Sequence, residues 1–160
     1  MITMRQVKAP GPVNVDFNEY VPLTVTWSSA GELLEPPRYV ELRNGNGYLE
    51  LKFHPATGML IEVVLAAAPG MQVVQGSLSP RNSEEVDLMP FLDSEDTLGE
   101  TEHPLVVRAY SDYLYVSFGH DPEQWVGSGP VLFGLAEKQS LAAICARWTG
   151  SERESVLTGH

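Results

Sequence analysis

From Tyr20 to Trp27 the chain alternates: Val21, Leu23, Val25 and Trp27 share one face of an extended strand, and Thr24 and Thr26 the other. Pro22 stands near its start, where a missing N–H is tolerated. A prolonged loop with Pro36 and Pro37 follows. Then come two more alternating runs, Tyr39 to Arg43 and Tyr48 to Phe53, flanking Asn44-Gly45-Asn46-Gly47. Those four residues accept positive φ, which a tight hairpin requires. On the second run Leu49, Leu51 and Phe53 face one way while Glu50 and Lys52 point away. His54-Pro55-Ala56-Thr57-Gly58 signals another turn, and Met59 to Leu65 resumes an apolar run broken by Glu62. Three strands in a meander are predicted here, with Met71 to Leu78 as one further strand.

Regularity returns at Pro104. Leu105 to Tyr110 and Tyr113 to Phe118 form a second predicted hairpin around Ser111-Asp112. A loop from Gly119 to Pro130 leads to a short apolar run, Val131 to Leu135. The segment 136–148 reads two ways. Leu141, Ile144, Cys145 and Trp148 have helical spacing, yet Val131 to Ala146, moved back 81 positions, overlays Leu51 on Leu132, Leu60 on Leu141 and Val63 on Ile144. That echo of strand, turn and strand favours a strand over 140–147. Residues 1–19 hold Pro10, Gly11 and Pro12 without any period and read as an extended arm.

These elements predict one all-β, mostly antiparallel domain over 1–160. Two β-meander halves, 20–78 and 104–148, would pack as a sandwich or open barrel with at most one or two short helices. An acidic connection, 79–103, would join them, and the ends 1–12 and 149–160 are expected to be flexible.

Composition narrows the picture. The apolar fraction of 43% permits a packed core, while fourteen glycines and twelve prolines keep regular elements short. One cysteine excludes an internal disulfide and a Cys-rich zinc site. The longest uncharged apolar run, Val63 to Ala68, is far too short for a membrane-spanning helix. The opening Met1-Ile2-Thr3-Met4-Arg5 lacks the apolar core of a secretory signal, so a cytoplasmic protein is expected.

Charge changes the picture most. Between Asn82 and Val107 stand Glu84, Glu85, Asp87, Asp93, Glu95, Asp96, Glu100 and Glu102 without a lysine or arginine, and these eight supply most of the net −11. Such a field repels phosphate backbones and anionic membranes, and attracts a basic protein or a cation. Val86, Leu88, Met89, Phe91, Leu92 and Leu98 interleave with the acids. The stretch reads either as a solvated loop pinned by its apolar residues or as a docking segment for a basic cleft. In the second reading Met89 and Phe91 are the desolvated anchors. The spacing lacks the Asp/Asn alternation, central Gly and terminal Glu of an EF-hand.

The run Asp112-Tyr113-Leu114-Tyr115-Val116, with Val131-Leu132-Phe133-Gly134-Leu135 and Leu141-Ala142-Ala143-Ile144, resembles a family of small bacterial β-meander proteins of unknown function. The resemblance covers about a quarter of the chain and consists mostly of core positions. It implies a strand over the last of these segments and no activity. In the turn, Ala136-Glu137-Lys138-Gln139-Ser140 stands where the family has Asp and Gly.

No catalytic spacing emerges. His54, His103, His120 and His160 form no helical metal pair, and His-Glu-x-x-His is absent. His120-Asp121 is the most suggestive pair, although Asp121-Pro122-Glu123-Gln124 also reads as a capped helical turn. Cys145 lies in an apolar run and reads as a buried thiol. Gly127-Ser128-Gly129-Pro130 lacks the spacing of a nucleophile elbow, and Asn44 to Gly47 precedes a strand rather than a phosphate-binding helix. Tyr110, Tyr113, Tyr115, Trp125 and Trp148 read either as half-buried sheet aromatics or as an exposed, partner-binding face.

The expectation is therefore a non-enzymatic, acidic, intracellular interaction protein that needs no metal or cofactor. Its concrete form would be an immunity or inhibitor protein occluding a basic surface through Glu84, Glu85, Asp87, Met89, Phe91, Asp93, Glu95 and Asp96. Alternatives are a small-molecule or metal-binding β domain, with enzyme chemistry conceivable, using His120, Asp121 and loop carboxylates, and a structural subunit whose sheet edges pair in a homodimer.

Overall fold

The computed structural model describes residues 2–8, 11–28, 33–80, 87–93, 100–102, 104–127 and 129–159, without the side chains of 100–102 and 138. The fold is all-β and mostly antiparallel, built of three sheets that pack together without closing into a barrel.

The first sheet comprises β2 (Val13–Asp16), β3 (Leu23–Trp27), β4 (Arg38–Asn44), β5 (Gly47–Phe53), β6 (Leu60–Ala67) and β9 (Glu100–Glu102), in the order β2-β3-β6-β5-β4-β9. The predicted meander is its centre. Gly45 takes the positive φ of the β4–β5 turn, at 59°, and Leu49, Leu51 and Phe53 are fully buried while Glu50 and Lys52 face outward. The second turn is closed by His54, whose carbonyl accepts the Gly58 N–H at 2.9 Å and whose Nδ1 accepts from the Ala56 amide at 3.1 Å. His54 is thereby explained as a turn residue.

The second sheet comprises β7 (Gln72–Val73), β10 (Leu105–Ala109), β11 (Tyr113–Phe118), β12 (Gln124–Val126), β13 (Val131–Leu135) and β14 (Leu141–Arg147), in the order β12-β13-β14-β11-β10-β7. The two halves of the chain thus become two sheets, each with one edge strand drawn from elsewhere in the chain. Strand β7, from the first half, pairs in parallel with β10, and β9, from the acidic connection, pairs in parallel with β4.

A third, two-stranded ribbon joins β1 (Ile2–Gln6) to β8 (Leu88–Leu92). It bridges the sheets: Thr3 pairs with Ser140 beside β14, and Phe91 pairs with Met59 beside β6. The main core lies between the two large sheets, where Trp27 of one packs on Phe133 of the other with ring centroids 6.0 Å apart. Burial of this kind, at roughly 25 cal/mol per Å² of apolar surface, is the principal force holding the layers together.

Several local expectations need correction. The ends carry regular structure: β1 opens the described chain, and the helix α1 (Gly150–Thr158) ends it. Thr149 caps α1 in a reciprocal capping box with Glu152, and Val156 anchors it in the core. The turn expected at 121–124 is not helical, because Gln124–Val126 pairs with β13 and the Glu123 amide donates to the Leu135 carbonyl at 2.8 Å. A glycine permits this: a Cβ on Gly134 would stand 2.7 Å from the Pro122 ring, so Pro122 covers the strand there.

The strand over 141–147 agrees with the internal echo, and Leu60 with Leu141 and Val63 with Ile144 all face the main core, but the preceding strand does not correspond. Leu51 pairs with Val63 in the main core, whereas Leu132 pairs with Cys145 in a second cluster outside it. With a side-chain period of two, a shift of one residue exchanges the faces.

The same second cluster decides the aromatic face. Tyr113, Tyr115, Trp125, Leu132, Ala143 and Cys145 are buried on the outer side of the second sheet, with Leu78 and Tyr110 packed against them. Trp148 lies on the opposite side, in the main core beside Phe17. An exposed patch formed by all five aromatics does not exist.

Candidate functional site

Apolar residues in β8 fix where the acidic connection leaves and rejoins the domain. Met89 is 1% exposed and Leu92 5%, so both belong to the core. Phe91, two residues on and so on the same side of the strand as Met89, is half-buried against the core, while Leu92 takes the opposite side. The Arg5 guanidinium sits 5.2 Å from its ring centroid and also pairs with Asp93 at 3.1 Å. A second cation, Arg38, donates to the Asp93 carbonyl at 3.3 Å. At the other end of β8 the exposed Asp87 gives its carbonyl to the Val7 amide at 2.8 Å.

Among the described residues, the next pairing after Asp93 is at β9, where Glu100 stands opposite Glu41 and Glu102 opposite Arg43. The acidic stretch is thus tied to the ribbon at 87–93 and to the edge of the first sheet at 100–102.

Of the candidate binding residues, the structure brings Phe91 and Asp93 together under Arg5. It turns Met89 inward, where it presents no surface to a partner, and leaves Asp87 at the far end of the strand. Glu84, Glu85, Glu95 and Asp96 lie outside the described residues, as do His103 and His160.

Sequence reasoning missed Arg5 and Arg38. The alternation of Ile2, Met4 and Gln6 around Thr3 and Arg5 is too short to announce a strand, and its partner strand lies 82 positions away even at the closest register pair, Gln6 with Leu88.

A second place of interest lies at the turns beside β12 and β14. His120, Asp121, Glu123, Glu137, Ala136 and Ser140 line a cleft of about 500 Å³. Asp121 accepts a long hydrogen bond from the Tyr115 hydroxyl at 3.4 Å. Burial raises the Tyr115 phenol above its ordinary value. Among the described residues no three His, Cys, Asp or Glu side chains are placed to hold a metal ion.

Cys145 is fully buried, and desolvation pushes its thiol far above its ordinary pKa. A thiol so placed is a poor nucleophile, because the reactive species is the thiolate.

The outward face of the first sheet is a charge ladder. Lys52 pairs with Glu62 at 2.7 Å and with Glu50 at 3.4 Å, and the Tyr48 hydroxyl donates to Glu50 at 3.1 Å. Burial, then hydrogen bonds to Glu41 and Glu50, hold the Tyr48 phenol well above its usual range. Cross-strand pairs of this type stabilise a solvated face and explain its composition without a ligand.

Among known proteins, no family model and no curated protein matches the chain. No helix among the described residues is long and apolar enough to cross a membrane.

Proposed function

We propose that this chain is a non-catalytic binding protein of the cytoplasm that offers its acidic connection, 79–103, to the basic surface of a partner protein. The observation that carries the reading is the double attachment of that connection. Strand pairing on both sides of residues 94–99 fixes the ends of an acidic stretch against a rigid support. Holding those ends lowers the ordering cost on association, and concentrated negative charge raises the encounter rate with a basic surface. Phe91 and Asp93, fixed by Arg5, would form the ordered margin of the contact. Occlusion of a basic active-site cleft, as by an immunity or inhibitor protein, is the specific form proposed.

Calorimetric titration against basic proteins encoded beside its gene tests this at low and high salt. Binding that weakens with salt, and weakens again in E84Q/E85Q/E95Q/D96N, supports the reading. Salt-insensitive binding, or binding unchanged in that variant, contradicts it.

The cleft at His120 favours a second reading, in which the domain binds a small organic molecule beside His120 and Asp121, since among the described residues its carboxylates are not placed to hold a metal ion. A thermal-shift screen with organic amines separates the two, since a ligand of the native state must raise the Tm.

A further inference from the structure

We infer that the outer face of the second sheet is a docking surface for a carboxylate-bearing segment of a partner protein, gripped by Arg108 and Arg147. The site is independent of the acidic connection, and its partner has the opposite charge.

Both guanidinium groups are held in place by neutral groups. Arg147 stands 5.5 Å from the centroid of the Tyr113 ring and donates to the Tyr113 hydroxyl at 2.9 Å. Arg108 stands 5.5 Å from the centroid of the Tyr115 ring and donates to Gln72 Oε1 at 3.2 Å. Among the described residues neither forms an ion pair with a carboxylate, in a chain whose acids outnumber its bases by 21 to 10. Of the carboxylates in the adjoining loops, Asp112 accepts the Leu78 amide at 2.8 Å and acts on Arg147 only from beyond ion-pair distance, and Asp121 accepts the Tyr115 hydroxyl.

An arginine stacked on an aromatic face keeps most of its five N–H donors available, and its rotamer is already fixed. Such a group loses little entropy on meeting a carboxylate, and a bidentate pair is among the stronger polar contacts. The support beneath is rigid, because every residue of β11 is buried.

Register gives the spacing. Arg108 is opposite Tyr115 and Arg147 opposite Tyr113, on the strands flanking β11. Two strand spacings and a two-residue step put their Cα atoms roughly 12 Å apart. Two acidic side chains about four residues apart on an extended segment span the same distance. Nucleic acid fits less well, since its continuous phosphate charge would meet the field of a chain of net charge −11. A short acidic segment senses mainly what lies within a Debye length, about 10 Å at 0.1 M salt.

The test follows the arginine Nε–H resonances of isotope-labelled protein during titration with an acetylated peptide carrying two glutamates four residues apart. The glutamine peptide and inorganic phosphate serve as comparisons. The Arg108 and Arg147 signals should shift saturably with the glutamate peptide only. R108Q/R147Q should weaken binding roughly tenfold or more, and R147K, which keeps charge but loses the planar fork, should fall between. The inference is overturned if the two signals do not move, if R108Q/R147Q binds as the parent does, or if phosphate saturates the pair more tightly than the peptide.

Discussion

Gly58 and Leu92 approach so closely that no side chain fits between them: a Cβ on Gly58 would stand 2.8 Å from the Leu92 carbonyl oxygen. The Leu92 amide also donates to the Gly58 carbonyl at 2.9 Å, which ties the ribbon to the first sheet just before the acidic stretch departs. Gly58 has a φ of 78° as well. Gly58→Ala therefore carries a clash and backbone strain together, and should cost about 2–3 kcal/mol in urea denaturation. Gly45→Ala, at a φ of 59° with open space around it, should cost about 1 kcal/mol. Equal losses at the two sites would show that the Gly58–Leu92 contact contributes nothing.

The Arg5–Asp93 pair positions more than it stabilises. Its side chains are 56% and 38% exposed, so Arg5→Gln should lower stability by no more than about 1 kcal/mol. A double-mutant cycle with Asp93→Asn measures the coupling, which should shrink as salt is added.

The helix α1 should behave as an integral part of the domain. Thr149→Ala removes the acceptor of the Glu152 amide and should cost about 1 kcal/mol. Val156 is fully buried, and Val156→Ala should cost about 2 kcal/mol through lost apolar contact and the cavity left behind. Thermal melts of both variants check this, and unchanged midpoints would mean that α1 is not docked.

Alkaline pH should destabilise the fold. Burial raises the Cys145 thiol and, most strongly among several causes, the Tyr48 and Tyr115 phenols. For a group raised on folding, the contribution is complete below the unfolded pKa and is lost as pH climbs toward the folded value. The unfolded thiol ionises near 8.5, so stability should fall above that pH by at most about 1.4 kcal/mol per unit for this one group. The tyrosines add to the loss above about pH 10. Cys145→Ala should flatten the profile between about pH 8.5 and 10, read by urea denaturation at several pH values.

Local pattern made the meander and the second hairpin legible, because Leu49, Leu51 and Phe53 alternate cleanly and turn residues bracket them. The pattern was silent where pairing is remote. The ribbon of Ile2–Gln6 with Leu88–Leu92 joins distant short segments, and Pro90 disguises one of them. Tyr113 and Tyr115 show the opposite difficulty. Alternation assigned them to one face, but only tertiary packing by Trp125, Leu78 and their neighbours buries that face. The capping box of α1 was present as Thr149 and Glu152, and it went unread because the helix has little apolar character beyond Val156 and Leu157. At the candidate site, the acids were visible as charge, whereas the inward turn of Met89 and the clamp of Arg5 on Phe91 depend on the ribbon.

The association rate with a basic partner, followed by stopped-flow mixing across a salt series, tests the binding role of the acidic connection most directly. Electrostatic steering predicts a rate that falls roughly tenfold or more from low to physiological salt while dissociation changes little, and a much flatter dependence in E84Q/E85Q/E95Q/D96N. An association rate indifferent to salt, or one that responds identically in parent and variant, would contradict the account.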